Sequence, residues 1–255
     1  MHDTAFLTAR LFFDCYCSGP DRKILEVGSY TVNGHWTDRI RDLAPEGCEY
    51  VGVDIEAGPN VDLVVEAGGR LPFDDETFDA VIASSVFEHD EAFWVTFLEL
   101  VRVAKLGGYI YISAPSNGVF HQYPFDNWRF YPDAGLALAK WSKKSGYEIV
   151  LCESFIAERN QDIWNDFCAV FCKAADEPVG ERKRISSVVP SSNIRQNGAA
   201  EIANYRTWTE DMVLCGAMDS FFSAADPHQD PNRPQGLGLL GRLSHANQLL
   251  EEALR

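Results

Sequence analysis

Two short apolar runs, each leading into an acidic residue, constrain the fold of this chain more than any other feature. The first run leads through Glu26 into Gly28, and the second leads through Val53 into Asp54. In a parallel α/β sheet, ligands bind beyond the carboxyl ends of the strands. A glycine there lets the backbone approach a ligand, and a carboxylate can accept both hydroxyls of a ribose. The two runs therefore predict a parallel sheet that binds a nucleoside-bearing cofactor.

The composition is typical of a soluble globular protein. The chain has 255 residues, 46% of them hydrophobic and 24% charged, which is enough to bury the core of one large domain. No apolar run reaches the length that spans a membrane. The N-terminal segment carries Asp3 and has no small-residue cleavage site, so it is not typical of a signal peptide. We expect a cytoplasmic location and no membrane span.

The charge and the cysteines weigh against two further kinds of function. The net charge of −16 repels phosphate backbones, and the short basic run at 181–184 is expected to be a solvated loop, so we expect no nucleic-acid partner. The seven cysteines are scattered, and Cys15 and Cys17 have no matching second pair. We therefore expect no metal site.

Apolar periodicity and turn residues predict seven strands and three helices in the first part of the chain. Strands are predicted at 23–27, 50–54, 61–65, 80–84, 109–113, 148–153 and 166–173, and helices at 4–17, 91–105 and 132–145. The last two strands are too close in sequence for a parallel crossover and should pair antiparallel. The predicted fold is α/β, a doubly wound, mostly parallel seven-stranded sheet with a C-terminal antiparallel hairpin, and helix 4–17 covers one sheet edge.

The regular pattern ends after residue 174. Residues 175–200 and 224–236 are rich in Pro, Ser, Asn, Gly and Asp and are predicted to be loops, whereas 201–222 has a helical pattern. The tail Leu239–Leu254 carries a short leucine stripe, which indicates either a helix docked on its own domain or a helix that forms a homodimer. The predicted domains are residues 1–174 and a C-terminal extension, 175–255.

Short motifs follow one another in a particular order along residues 23–173. They are Glu26-Val27-Gly28, Asp54, Glu66-Ala67-Gly68, Leu71-Pro72-Phe73, Phe78-Asp79-Ala80-Val81-Ile82, Phe87-Glu88-His89, Gly107-Gly108 and Ser113-Ala114-Pro115-Ser116. With these motifs the chain resembles the class I S-adenosylmethionine-dependent methyltransferases, which have a Rossmann-like fold. The resemblance implies S-adenosylmethionine as cofactor and S-adenosylhomocysteine as product. It implies a cofactor site formed by Glu26, Gly28, Ser29, Tyr30, Asp54, Ile55, Glu66, Ala67, Gly68, Ser84 and Ser85.

The first loop departs from the usual glycine-rich pattern of this family. Tyr30 and Val32 occupy the later small-residue positions, and Gly34 supplies the next glycine. A dinucleotide pyrophosphate requires close backbone approach along several glycines, whereas S-adenosylmethionine has no phosphate to bind. The departure therefore favours S-adenosylmethionine over a nicotinamide cofactor.

Residues for the transfer chemistry are predicted after the fourth and fifth strands. A hydroxyl nucleophile needs a general base, and the candidates are His121, His89 and Asp126. His89 has a structural alternative, since it could cap the next helix or pack under the cofactor. The segment 121–132 is rich in aromatic residues and is predicted either to contact the substrate or to pack on the sheet as a lid. Its predicted substrate-binding residues are Tyr123, Trp128, Arg129 and Tyr131, with Arg129 pairing either with a substrate anion or with Asp126.

The same loop resembles bacterial methyltransferases associated with polysaccharide biosynthesis. This resemblance implies O-methylation of a small-molecule or sugar hydroxyl in the synthesis of a surface glycan. Two alternatives of other classes stay open: a nicotinamide-dependent oxidoreductase on a similar sheet, and a non-catalytic relative that serves as a partner subunit.

Overall fold

The computed structural model describes residues 2–31, 39–174 and 183–216. They contain three complete α-helices and eight strands. In order they are α1 (Asp3–Tyr16), β1 (Lys23–Val27), β2 (Glu49–Asp54), β3 (Leu63–Val64), β4 (Phe78–Ser84), α2 (Phe93–Val103), β5 (Ala104–Pro115), α3 (Asp133–Lys144), β6 (Val150–Ala157), β7 (Asp166–Cys172) and β8 (Ser191–Gln196). Short 3₁₀ turns occupy Ile40–Leu43 and Ile185–Ser187.

The strands form one sheet in the order β3-β2-β1-β4-β5-β7-β6-β8. The pairs from β3 to β5 are parallel, and β7 pairs antiparallel with both β5 and β6. The mostly parallel sheet with its antiparallel hairpin is thus confirmed. The described part of the chain holds eight strands instead of seven, because β8 adds an antiparallel edge next to β6.

The central strand β5 is buried on both faces from Gly108 to Pro115, and this part separates two cores. Ile110 and Ile112 belong to the cluster under α2 and α3, whereas Tyr109 and Tyr111 belong to the cluster under α1. Helix α1 therefore lies across β5 and β7, and the expectation that it covers a sheet edge was wrong. The phenyl ring of Phe12 lies 5.1 Å from that of Tyr111, which fixes the helix over the middle of the sheet.

Strand β8 corrects the prediction that residues 175–200 form only loops. The buried carboxylate of Glu153 on β6 anchors this region. It accepts hydrogen bonds from the Tyr16 hydroxyl (2.6 Å), from the main-chain N–H groups of Ile185 (2.8 Å) and Ser186 (3.1 Å), and from the Ser186 hydroxyl (2.6 Å). A polar anchor of this kind leaves no mark in the hydrophobic pattern, and for that reason periodicity did not predict the strand.

The end of the chain matches the predictions only in part. Two compact units are Met1–Tyr205 and Arg206–Arg255, and the predicted division of domains after residue 174 stays a prediction. The predicted helix 201–222 is helical only at 210–216 among its described residues. The leucine-rich tail Leu239–Leu254, with its predicted homodimer contact, lies outside the described residues. Within the described ranges, no helix combines the length and the apolar character that crossing a bilayer requires.

We expect the replacement of Glu153 by alanine to lower the free energy of unfolding by about 3 kcal/mol, because it leaves a tyrosine hydroxyl and two main-chain N–H groups buried without an acceptor. Urea unfolding measures the change. The replacement of exposed Glu148 by alanine is the matched control and should stay within about 0.5 kcal/mol of the parent. Equal midpoints for the two variants would contradict this role of Glu153.

Candidate functional site

The chain makes a tight turn at the carboxyl end of β1. The main-chain N–H groups of Gly28 and Ser29 both donate to the carbonyl of Val53, at 2.9 and 3.1 Å. Gly28 has φ +78°, and a β-carbon there would lie 2.2 Å from Cγ2 of Val86. Both observations require glycine at position 28. The backbone of the first loop is thereby held against the end of β2, as the motif predicts.

Glu26 is a buried carboxyl group at the base of this turn. Oε2 accepts hydrogen bonds from the Tyr50 hydroxyl at 2.9 Å and from Nδ2 of Asn60 at 3.3 Å. Burial raises the pKa of Glu26 to about 7, although both hydrogen bonds oppose the rise. Glu26 therefore changes its charge near neutral pH in an environment that already supplies two donors.

Asp54 ends β2 directly beside the first loop. Its Oδ2 accepts the main-chain N–H of Tyr30 at 3.0 Å, and its Oδ1 accepts that of Glu56 at 3.1 Å. Each carboxylate oxygen has a second lone pair, so the group can still accept two hydroxyls. Ile55 follows on the surface, and the ring of Tyr30 covers Gly58, where a β-carbon would lie 2.0 Å from it.

Several buried polar atoms near these strand ends lack a hydrogen-bond partner among the described residues. They are the hydroxyl oxygens of Ser29 and Ser84 and Oδ1 of Asn60. Ser85, which follows Ser84, has φ +55° and donates its N–H to the carbonyl of Ser113 at 2.8 Å. Buried polar groups are nearly always paired in native proteins. Unpaired groups at the carboxyl ends of neighbouring strands therefore indicate a polar ligand.

The remaining predicted cofactor residues follow β3. Glu66, Ala67 and Gly68 are exposed, and a turn closed by the N–H of Gly69 on the carbonyl of Glu66 (3.1 Å) orders them. Gly68 has φ +64°, and a β-carbon there would meet no atom within 4 Å. These three residues border the same end of the sheet, and their contact with an adenine stays a prediction.

A second group of polar residues follows β4. His89 is held by a contact of 2.5 Å between Nδ1 and the carbonyl of Phe125, and its Nε2 lies 3.6 Å from Oε1 of Glu88. The rings of His89 and His121 meet edge to face, with their centroids 5.0 Å apart. Burial lowers the pKa of His89, so its imidazole is neutral at pH 7. The structure brings both predicted base candidates together.

The N-terminal residues border this cluster from the other side. His2 stacks on Trp164 with ring centroids 4.2 Å apart, and its Nδ1 lies 3.0 Å from Oδ1 of Asp166. The ring centroid of His2 is 6.4 Å from that of His121. His2 is more than a hundred residues from His121 and Trp164 in the sequence, so no local motif predicts these contacts.

Asp126 and Arg129 form an ion pair with two parallel hydrogen bonds, of 2.6 and 2.9 Å. The hydrogen bonds from Arg129 lower the pKa of Asp126 to about 2, so Asp126 is a weak base. Arg129 also donates to three carbonyls, and all five N–H donors of its guanidinium are used. Those carbonyls belong to Asn117, Val119 and Trp128. Of the two alternatives for Arg129, the structure contains the pair with Asp126.

The other predicted substrate residues have different environments. Tyr123 is 52% exposed, and its ring centroid lies 5.9 Å from that of His89. Trp128 donates its indole N–H to the carbonyl of Asp90 at 2.9 Å, which holds it to the start of the next segment. Tyr131 is 55% exposed. Tyr123 is thus the aromatic residue of this group that borders the histidines.

The sequence did not predict three polar residues of the site. Tyr50 and Asn60 belong to the group around Glu26, and Glu88 belongs to the group that follows β4. Tyr50 and Asn60 act through Glu26, and no local pattern marks such a contact. Glu88 belongs to the Phe87-Glu88-His89 motif, but only the fold shows that its side chain is completely buried. Val32 and Gly34 of the first loop lie outside the described residues.

Comparisons with known proteins agree with this arrangement. Residues 26–112 match the family model described as a methyltransferase domain. An uncharacterized methyltransferase of Mycobacterium leprae is 31% identical over 125 residues, which is 44% of this chain and 44% of that protein. One from Mycobacterium tuberculosis is 31% identical over 123 residues, 44% of this chain and 46% of that protein. The chain therefore spans less than half the length of the curated relatives it matches.

A solved structure shows the same fold. It is the 1,6-didemethyltoxoflavin-N1-methyltransferase of Burkholderia thailandensis, described with S-adenosylhomocysteine bound. The match has a TM-score of 0.52 and 12% identity, and it covers 68% of this chain and 80% of that one. Residues 26–112 thus resemble a methyltransferase domain, which agrees with the class I S-adenosylmethionine-dependent methyltransferases that the motifs indicated.

Replacement of Glu26 by glutamine should change the pH dependence of stability. The pKa of Glu26 is about 7 in the folded protein and about 4.5 in the unfolded chain, so the folded state binds more protons between these values. The parent's free energy of unfolding therefore falls as pH rises through this window, and the variant lacks this loss. Relative to the parent, Glu26→Gln should gain up to about 3 kcal/mol between pH 4.5 and pH 8.

Urea unfolding at several pH values measures this difference. The replacement of exposed Glu46 by glutamine is the control and should follow the parent at every pH. A stability difference between Glu26→Gln and the parent that does not change with pH would contradict the raised pKa of Glu26.

Proposed function

We propose that the protein transfers a methyl group from S-adenosylmethionine to a hydroxyl of a small molecule or sugar. The observation that carries the proposal is the arrangement at the carboxyl ends of β1, β2 and β4. There the Gly28 turn, the carboxylate of Asp54 and the unpaired hydroxyls of Ser29 and Ser84 converge. The polar group with His89 and His121 follows β4, which pairs in parallel with β1, so in our proposal the acceptor binds on the β4 side of the cofactor.

The residues at these strand ends fit the parts of S-adenosylmethionine. In our proposal, Asp54 accepts the ribose hydroxyls with its remaining lone pairs. The unpaired Ser29 hydroxyl and the carboxyl of Glu26 bind the polar end of the methionine moiety, and residues 66–68 border the adenine. A pyrophosphate would need further glycines where Tyr30 stands, which disfavours the nicotinamide-dependent alternative.

The transfer itself asks the protein mainly for positioning. S-adenosylmethionine supplies a methyl group already activated by its sulfonium. The protein must place the acceptor oxygen in line with it and receive the hydroxyl proton. His89 and His121 are the base candidates, because the neutral imidazole of His89 can accept a proton and His121 lies beside it. Asp126, with its pKa near 2, orients His121 by accepting its main-chain N–H at 2.8 Å.

The acceptor is proposed to be a sugar hydroxyl of a surface glycan. Exposed aromatic rings favour this class, since they stack on the apolar faces of sugar rings, and Tyr123 stands next to the histidines. Trp128 and Tyr131 extend the aromatic surface along the same segment. A non-catalytic partner subunit would bind the cofactor or an acceptor without turnover, and assays with radiolabelled methyl donor on glycan acceptors distinguish the two possibilities.

We expect the Asp54→Ala variant to bind S-adenosylhomocysteine about 10- to 100-fold more weakly than the parent, because the ribose loses a charged acceptor. Isothermal titration calorimetry measures the affinity. Glu56→Ala removes the neighbouring exposed carboxylate and is the matched control, with affinity expected within twofold of the parent. Equal affinity of Asp54→Ala and the parent would refute the placement of the ribose, and binding of NADH by the parent would favour the oxidoreductase.

We expect the Tyr123→Ala variant to raise the KM for the acceptor about tenfold and to leave the affinity for S-adenosylhomocysteine unchanged, since its ring borders the histidines. Steady-state kinetics and calorimetry give the two values. Phe120→Ala, which removes an exposed ring just ahead of the segment 121–132, is the control. A parallel loss of cofactor affinity would indicate that Tyr123 acts through folding instead.

A further inference from the structure

The side chain of Glu88 is completely buried, and neither of its carboxylate oxygens has a hydrogen-bond partner among the described residues. The main chain of Glu88, in contrast, is well paired, because its carbonyl accepts the N–H groups of Asn127 (2.6 Å) and Trp128 (3.2 Å). A buried carboxyl with both oxygens unpaired is costly and therefore indicates a missing partner.

Two imidazoles lie next to this carboxyl, and in each ring Nδ1 contacts an oxygen acceptor that fixes the ring's orientation. His89 points Nδ1 at the carbonyl of Phe125, which leaves Nε2 as the atom near Oε1 of Glu88. His121 has Nδ1 3.3 Å from the carbonyl of Val119 and 3.4 Å from Oδ2 of Asp126. In both rings Nδ1 faces acceptors, so Nε2 is the lone-pair nitrogen. Histidines that bind metals are held in this way, by a carbonyl or a carboxylate on the other ring nitrogen.

We propose that Glu88, His89 and His121 form a binding site for a divalent transition metal ion. One ligand atom from each of the three residues lies within 4.8 Å of the others. Around a metal at about 2.1 Å from each ligand, the ligand atoms lie about 3.0–3.4 Å apart, so shifts of about 1 Å bring these three into place. The set departs from the expectation that the chain has no metal site, which rested on cysteine spacing alone.

The donor types select the class of metal. Two imidazoles and one carboxylate are typical of Zn²⁺, Fe²⁺ and Co²⁺, whereas Mg²⁺ and Ca²⁺ prefer oxygen ligands. Three protein ligands leave at least one coordination position for water or substrate. Half-exposed Tyr123 borders both histidine rings, so a bound hydroxyl can reach this position from the substrate side. That last step rests on the proposed function, whereas metal binding does not. With a metal bound, the two imidazoles would be ligands, and the metal would replace them as the means of activating the acceptor by lowering the pKa of its bound hydroxyl, whose proton would pass to water.

The experiment measures metal binding without any methyl donor. The full chain is stripped with EDTA, desalted and titrated with Co²⁺, whose visible absorption reports the ligand geometry, and with Zn²⁺ against a chromophoric chelator. We expect one ion bound through this site. Affinity should fall about 100-fold or more in Glu88→Gln and in His121→Ala, since even the loss of an outer partner costs 10- to 100-fold. His121 is half-buried, so its variant stays informative if Glu88→Gln does not fold.

His2→Ala is the matched control, because His2 is a neighbouring imidazole that contacts Asp166. It should keep the parent's affinity and the parent's Co²⁺ spectrum. No Co²⁺ or Zn²⁺ bound by the parent, or equal affinity in parent and His121→Ala, would overturn the proposal. A loss in His2→Ala as large as that in His121→Ala would overturn this ligand set. Calorimetry with S-adenosylhomocysteine on the same preparations tests the proposed function separately.

Discussion

One carbonyl group, that of Val53, organises the carboxyl ends of β1 and β2. It accepts the N–H groups of both Gly28 and Ser29, and this shared acceptor turns the chain sharply at the end of β1. The turn brings the first loop within reach of Asp54 and presses Gly28 against Val86 of the segment after β4. The ends of β1 and β2 are thereby joined through main-chain hydrogen bonds, and the contact with Asp54 uses the main-chain N–H of Tyr30, so none of these bonds depends on the Tyr30 side chain. This explains how the loop tolerates Tyr30 where the family usually has a small residue.

The polar group that follows β4 depends on a different kind of contact. The segment 125–128 is attached to residues 88–90 by main-chain bonds to Glu88, by the amide of Asn127 on the carbonyl of His89, and by the indole of Trp128 on the carbonyl of Asp90. The Asp126–Arg129 pair then holds the same segment together internally. The aromatic loop is therefore a structured wall, and the polar groups behind it keep fixed orientations.

Features with a local signature could be predicted from the sequence. The strands β1, β2, β4, β5 and β7 follow from continuous apolar runs, and Gly28 and Asp54 follow from their positions at strand ends. Features decided by tertiary contacts could not. Helix α1 buries Thr4 and Thr8, because Asp166 and Tyr111 supply hydrogen-bond partners, while Leu7 stays partly exposed. Strand β8 is polar and forms beside Glu153. The choice between two partners for Arg129 and the isolation of the Glu88 carboxyl also needed the fold.

The position of His2 has a practical consequence for work on this protein. Its ring stacks on Trp164 and lies next to His121, so the chain enters α1 beside the polar group that follows β4. Any residues joined ahead of His2, including an affinity tag rich in histidine, would enter the surroundings of that group. Complete removal of an N-terminal tag keeps metal and substrate measurements free of added imidazoles.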